Sequence, residues 1–136
     1  MKNNAFLSLI EQLCMVLLFS IAAAICLQGF AKTNEISRAQ QEKDSAVVIV
    51  QNAAEIVKHT GGDLDRVAQV LGGHCDDTSV IVFYDDQWQP VPQEHSTFSL
   101  RIQHVSSVAF LGTAQIQALR GNTVIFELHV SWQEVQ

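Results

Sequence analysis

The chain has 136 residues, which is enough for one modest domain beside a membrane segment. Hydrophobic residues make up 48% of it, charged residues make up 16%, and the formal net charge is −6 at pH 7. Because no run of lysine or arginine occurs, the composition argues against direct nucleic-acid binding by this chain. Only one of the three cysteines, Cys75, follows residue 30, which excludes an internal disulfide in a domain built from the later residues.

The N-terminal segment Leu7–Phe30 is almost wholly apolar, and Ser20 is the only polar residue within Leu13–Leu27. A membrane-spanning helix needs roughly 20 apolar residues, so we predict a transmembrane helix over residues 7–31. Glu11 lies near the start of this stretch. Inserting a charged side chain costs on the order of 2.5–3.5 kcal/mol at the bilayer centre and less near the end of the helix. We therefore expect Glu11 to have an interaction partner.

Three ordinary explanations of the segment compete. It is a secretory signal cut after Gly29-Phe30-Ala31, a plain single-span anchor, or a lipoprotein signal ending at Cys26. Ile25 is bulky where a lipoprotein signal carries a small residue, and we set that explanation aside. The other two stay open.

The stretch Ser8-Leu9-Ile10-Glu11, followed by an apolar run, resembles the start of type IV pilins and type II secretion pseudopilins. The resemblance implies that Glu11 neutralises the amino terminus of a neighbouring subunit during assembly. It also implies a pilin-like α+β fold. In that fold a long N-terminal helix, half in the membrane and half amphipathic, packs on a C-terminal antiparallel β-sheet.

The family is trimmed by a prepilin peptidase, which implies a short leader at residues 1–6. A cut between Phe6 and Leu7 gives Glu11 the family spacing but puts Phe where the family has Gly. A cut between Ala5 and Phe6 offers a small residue and an aromatic start but moves Glu11 one place too far. Both sites, and an untrimmed chain, stay open.

Residues 32–60 are predicted to continue the helix, because neither Pro nor Gly occurs from Lys32 to His59. Apolar residues recur there at steps of three and four, and this stripe becomes regular only after Ala46. Gly61-Gly62 ends the helix. A single rod would be about 80 Å long, and two helices with a kink near Lys32–Asn34 are an equally weighted alternative. The positions of the stripe are Ile36, Ala39, Ala46, Val47, Val50, Ala53, Ala54 and Val57.

Residues 61–78 are predicted to hold a short helix and loops. Asp63 is a good N-cap for a helix ending at Leu71, with Leu64, Val67, Ala68 and Leu71 inward and Gly72-Gly73 closing it. The polar stretch His74-Cys75-Asp76-Asp77 follows as a loop.

Residues 79–136 are predicted to form an antiparallel sheet, because the apolar period changes to two. "SVIVFY" is a strand that Asp85-Asp86 turns, "QWQPV" returns as an edge piece, and "TFSLRIQHV" alternates cleanly. "GTAQIQAL" and "TVIFELHVSW" form a hairpin around Arg120-Gly121-Asn122. One face of its second strand carries Val124, Phe126, Leu128, Val130 and Trp132, and the helix stripe covers that face.

Catalytic and metal chemistry find little support. The His74–Asp77 run lacks a second Cys or His pair at zinc spacing, and Asp85-Asp86 is typical of a hairpin tip. His104 and His129 are predicted on exposed strand faces, and no nucleotide-binding loop or hydrolase motif appears. We therefore expect no enzyme activity, no cofactor and no metal.

The sequence predicts a single-pass membrane protein that works by assembly with other pilin-like subunits through its N-terminal helix. The resemblance places the C-terminal domain on the extracytoplasmic side, in a secretion pseudopilus, a DNA-uptake filament or a pilus on the cell surface. The alternative is a membrane-anchored or exported small binding domain whose N-terminal segment is only a signal or anchor.

Overall fold

The computed structural model of the chain describes residues 2–108 and 110–134, with backbone alone at Lys2 and Ser107. The first residue of the predicted leader and the last two residues of the predicted sheet region lie outside the described residues. The chain forms two units, Met1–Gln41 and Glu42–Gln136. As predicted, the fold is α+β, with a long N-terminal helix and a five-stranded antiparallel sheet.

The first helix, α1, is Lys2–His59, a single element where the sequence left one helix or two open. Gly61 and Gly62 follow it with φ of 65° and 80°, in the left-handed region that glycine adopts without strain. The Gly62 N–H donates to the Val57 carbonyl at 2.9 Å, so a freed carbonyl of the last turn is satisfied. The glycine pair ends α1 as the sequence predicted.

The part of α1 in the Glu42–Gln136 unit is amphipathic and packs on the sheet. The buried stripe recurs at steps of three and four, as an α-helix requires. In the Met1–Gln41 unit every side chain from Asn3 to Gln41 is exposed, including Ile36 at 55%. The predicted stripe is therefore buried only from Ala46 onward. Its buried members are Ala46, Val50, Ala53, Ala54 and Val57.

The second helix, α2, is Leu64–Leu71 and has both predicted caps. The Asp63 carboxylate accepts hydrogen bonds from the backbone N–H groups of Asp65 and Arg66, which satisfies two donors of the first turn. Gly72 closes the helix in the left-handed conformation, with φ of 69°. Val67 and Ala68 are buried, so α2 packs its apolar side against the sheet.

The sheet is a five-stranded meander in which every strand pairs antiparallel with its sequence neighbour. Gly121, with φ of 60°, and Asn122 make the two-residue turn of the predicted hairpin. A 3-10 turn, Gln93–His95, precedes the third strand. The strands are β1 His74–Cys75, β2 Ser79–Tyr84, β3 Phe98–Val108, β4 Leu111–Arg120 and β5 Thr123–Gln133.

One face of the sheet supplies the strand half of the core. Alternate residues of each strand point to this face because the side-chain period of a strand is two. Leu100, Ile102 and Ile116 are fully buried there, beside the α1 stripe. Fully burying such a side chain contributes about 1.5–3 kcal/mol. The other buried strand residues of this core are Val80, Val82, Tyr84, Phe98, Ala114, Ala118, Val130 and Trp132.

The Trp132 indole fills a slot between two glycines. A Cβ on Gly112 would lie 2.5 Å from Trp132 Cζ2 and 2.6 Å from Nε1, and a Cβ on Gly62 would lie 3.0 Å from Cη2. Real Cβ atoms essentially never approach other atoms that closely. The ring therefore requires glycine on both sides, at the end of α1 and in β4.

Three details of the sheet differ from the prediction. His74–Cys75 is a short strand rather than a loop. The "QWQPV" piece makes only an isolated bridge, between Tyr84 and Pro90, because a proline donates no ladder hydrogen bond. The β4–β5 register shifts next to Leu119, so Val124 is 44% exposed and Ile125 packs against the core instead. The extra residue reverses the inward alternation at the start of β5.

Candidate functional site

Glu11 is an exposed side chain on the apolar part of α1. Its neighbours one turn away on the helix surface are Leu7, Ser8, Cys14 and Met15, which share its face by helical periodicity. The two residues at each predicted cleavage site, Ala5-Phe6 and Phe6-Leu7, also lie within α1. Glu11 is therefore the one carboxylate on an apolar surface that runs to Phe30.

The side chains of this apolar surface are exposed. Phe19, Leu27 and Phe30 are each more than two-thirds exposed, and the most apolar window of the helix is 0% buried. The helix is long and apolar enough to cross a membrane by length and composition. Ser20 donates to the Val16 carbonyl at 2.8 Å, so its hydroxyl is satisfied within the helix. A single N-terminal helix of this kind is compatible with a membrane anchor.

The Glu11 carboxylate forms no hydrogen bond or ion pair with any side chain that the structure describes. A carboxylate accepts hydrogen bonds and attracts a cation, and in a low-dielectric setting both interactions strengthen. Among the described residues the acid therefore lacks the partner that burial would require. The arrangement can bind a cation that another molecule brings.

The Glu42–Gln136 unit is acidic in the sequence. It contains twelve Asp and Glu against five Lys and Arg, which gives a net charge of −7, while residues 1–41 carry two acids and three bases. Any surface that this unit presents to partners is thus more attractive to basic than to acidic ones.

A cluster of four side chains lies at the end of the core where the Glu42–Gln136 unit begins. Its members are Glu42, Trp88, Phe98 and Arg120. The Arg120 Nη1 donates to both carboxylate oxygens of Glu42 at 3.0 Å, and the guanidinium carbon lies 5.8 Å from the centre of the Phe98 ring. Trp88 stacks on Phe98 with ring centres 4.3 Å apart. The cluster fastens α1 to the sheet at Glu42.

Sequence reasoning missed this cluster. It placed Arg120 in the hairpin turn and gave no role to Glu42 or Trp88. The signal that identifies Arg120 is its register, since it lies opposite Phe98 in β3 and so points to the helix side of the sheet. Trp88 adopts φ of 59°, a conformation that its residue type does not indicate.

Asp85 organises the turn that carries Trp88. Its carboxylate accepts from the backbone N–H groups of Gln87 and Gln89, both at 2.9 Å. These bonds are typical of an Asx turn, in which the acid replaces a backbone acceptor. Asp85 thus has a structural role in the loop, as the sequence predicted.

Three residues of the His74–Asp77 run, Cys75 to Asp77, line a shallow hollow with α2. The hollow has a volume of about 450 Å³ and is lined by Leu64, Asp65, Cys75, Asp76 and Asp77. Desolvation, followed by a hydrogen bond to Asp65 and nearby carboxylates, raises the pKa of the Cys75 thiol, which makes it a poor nucleophile. Within residues 2–108 and 110–134, no group of three or more His, Cys, Asp or Glu is placed to hold a metal ion.

The two strand histidines lie in different surroundings. His129 is exposed on β5, as predicted, with its Nε2 3.7 Å from the Glu127 carboxylate. The prediction for His104 was wrong, because the ring is half-buried and meets Trp132 edge-on at 5.9 Å. His104 continues the inward alternation of β3 after Ile102, so it shares the face of the core.

Comparisons with known proteins give no relative for this chain: no family model, no curated protein and no solved structure matches it. The interpretation of its function therefore depends on the residues and their geometry.

Proposed function

We propose that the protein is a structural subunit of the pilin or pseudopilin type, which acts by helix–helix assembly in a membrane-based apparatus. One observation carries the proposal: a single carboxylate, Glu11, which has no hydrogen-bond or ion-pair partner among the described residues, lies on an exposed apolar helix that precedes an α+β domain. The apparatus would be a type II secretion pseudopilus, a type IV pilus or a DNA-uptake filament. The subunit would do its work without catalysis.

The role of Glu11 follows from the cost of its position. A carboxylate within the apolar layer is stabilised when a fixed cation meets it, and removing only one member of such a buried pair costs about 3–5 kcal/mol. In this proposal the cation is the amino terminus of a neighbouring subunit, which a cut before Leu7 or Phe6 creates. Glu11 would then set the register between neighbouring helices.

The proposal also assigns a place to each part of the chain. Residues 7–31 span the cytoplasmic or inner membrane once, and the acidic domain lies on the extracytoplasmic side. A prepilin peptidase would remove the leader from the cytoplasmic side. Partners are sibling subunits whose apolar helices pack against Leu13–Leu27, where dispersion and close packing, rather than the hydrophobic effect, drive association.

A second candidate function is a membrane-anchored or exported binding domain that works alone. It is favoured by the self-contained core of the Glu42–Gln136 unit, in which the strands and two helices bury one another. In that case the N-terminal segment is only a targeting signal or a membrane anchor. Glu11 would then be dispensable.

The test compares Glu11→Gln, which keeps shape and removes charge, with Glu11→Ala and with the matched control Glu35→Gln on the same helix. Each variant is expressed in the source cells, membrane insertion is measured by carbonate extraction, and association is measured by disulfide cross-linking through the exposed Cys14. We expect both Glu11 variants to insert normally but to lose cross-linked multimers, while Glu35→Gln behaves as wild type. Wild-type multimers in both Glu11 variants would refute the assembly proposal and favour the anchored domain.

A further inference from the structure

The segment Lys32–Gln41 joins the apolar part of α1 to the part that packs on the sheet, and we call it the spacer. It is helical throughout, and each of its side chains is exposed. Its sequence, KTNEISRAQQ, contains only Ile36 and Ala39 as apolar residues. A helix that is polar all round has no packing face to stabilise it, so its stability depends on propensity and local pairs alone.

Propensity supplies only part of that stability. Thr33, Asn34 and Ser37 are among the weaker helix formers, because their short polar side chains compete for backbone hydrogen bonds or lose rotamers. The Thr33 hydroxyl donates to the Gly29 carbonyl at 2.8 Å, a back-bond that slightly destabilises a helix. Gly29 itself, just before the spacer, has the largest backbone entropy to lose.

Local charge pairs do not supply the rest. The spacer contains Lys32, Glu35 and Arg38, and among the side chains that the structure describes none forms an ion pair with them. Glu42, the acid one turn beyond Arg38, is occupied by Arg120. Lys32 and Arg38 each lie three residues from Glu35, but these ion pairs are not formed, and exposed pairs at this spacing contribute only about 0.2–0.5 kcal/mol each.

The helix on the C-terminal side is held much more firmly. From Ala46 to Val57 five side chains are buried in the core, and the Arg120 bond to Glu42 fastens its first turn. Opening the spacer would expose no core side chain, because it contains none. The free energy of local opening should therefore be far below that of the packed part.

We infer that the spacer is a locally opening joint, which unwinds and re-forms as a helix while the packed part of α1 stays folded. The joint is a property of the single subunit and does not depend on the proposed assembly. Glu11 variants that abolish assembly should leave it unchanged. The two ideas can therefore fail separately.

The test is hydrogen exchange of the full chain in lipid nanodiscs, read at peptide resolution by mass spectrometry. We expect amides of the spacer to exchange at least about tenfold faster than those from Ala46 to Val57, since each factor of ten requires only about 1.4 kcal/mol of stability difference. Limited digestion with trypsin should cut after Lys32 and Arg38 before it cuts after Lys58 or Arg101. Equal protection of the spacer and the packed part would overturn the inference.

A designed variant checks the cause. The triple replacement Thr33→Ala, Asn34→Ala and Ser37→Ala should slow exchange of the spacer about tenfold, because three better helix formers act on an unpacked helix. Asn52→Ala replaces an exposed residue within the packed part and should leave spacer exchange unchanged. A triple variant with unaltered spacer exchange would also overturn the inference, since the opening would then not depend on local propensity.

Discussion

The slot that holds Trp132 makes the sharpest prediction about stability. Replacing Gly112 with Ala puts a methyl group 2.5 Å from Trp132 Cζ2, where carbon atoms at optimal separation lie about 3.5–4.0 Å apart. The indole must then move by about 1 Å, and Gly62 blocks its other side. Overpacking of this kind typically costs about 1–3 kcal/mol, and we expect Gly112→Ala to lower the free energy of unfolding by that amount.

The assay is thermal unfolding of the full chain in detergent, followed by near-ultraviolet circular dichroism. For a unit of this size each kcal/mol should lower Tm by about 4–8 °C. Trp132→Phe makes room in the slot. The double variant Gly112→Ala/Trp132→Phe should therefore lose about 0.5–3 kcal/mol less stability than the two single variants lose together. Gly121→Ala is the control, because its φ of 60° imposes strain but no atom lies within 4 Å of the added Cβ.

Two results would refute this reasoning. An unchanged Tm in Gly112→Ala would mean that the indole moves freely, and the slot would then not be a tight one. The second result is an equal coupling free energy in two double variants, Trp132→Phe with Gly112→Ala and Trp132→Phe with Gly121→Ala. It would mean that contact with the indole ring is not what destabilises Gly112→Ala. Either outcome would remove the reason for glycine at this position of β4.

Two further predictions concern single carboxylates. Asp63→Ala should destabilise the domain by about 1 kcal/mol, since the backbone N–H groups of Asp65 and Arg66 lose their acceptor, while Asp63→Asn should retain most of the cap; equal Tm values for both variants would contradict this. The hydrogen bond from Gln117 Nε2, at 2.8 Å, lowers the pKa of Glu127. Because the folded pKa lies below the unfolded one, Glu127 stabilises the fold above the unfolded pKa and loses that effect as pH falls through the folded value. Glu127→Gln should therefore be less stable than wild type at neutral pH and match it in acid, as urea unfolding at each pH would show; an equal difference at all pH values would contradict this.

Local rules in the sequence were enough to predict α2 and the β4–β5 turn. Asp63 and Gly72 cap α2 through contacts with residues at most a few positions away, and Gly121-Asn122 fits a two-residue turn. Such elements are specified by their own residues, and distant parts of the chain do not compete with them.

Features that depend on two distant segments could not be predicted in the same way. The Glu42–Arg120 bond joins residues 78 positions apart, and its existence depends on the β3–β4 register, which places Arg120 on the helix side. The shift that turns Val124 outward is equally a property of the strand pair, because a single extra residue reverses the alternation. Periodicity alone extrapolates through such a bulge and assigns the wrong face.

The position of Glu11 is read directly from the sequence, but the role proposed for it depends on a second subunit. An acid in an apolar run is costly for a lone chain, and in the proposed assembly a cation from a second subunit would offset that cost. Stability, by contrast, is concentrated in the Glu42–Gln136 unit, where the Trp132 slot and the core lie.

The proposed assembly residue and the residues that stabilise the fold lie in different units of the chain. We therefore predict that folding and assembly can be impaired independently. Distant sites without shared partners usually contribute additively, and Gly112 and Glu11 share none. Glu11→Gln should therefore leave the Tm of the domain unchanged in detergent, while Gly112→Ala should lower it and still allow cross-linking through Cys14 below that Tm. The double variant should show both defects at their single-variant sizes, measured by the same circular dichroism and cross-linking assays. A Glu11→Gln variant with a lowered Tm would mean that the acid acts within its own subunit, and the argument for an external cation would fail.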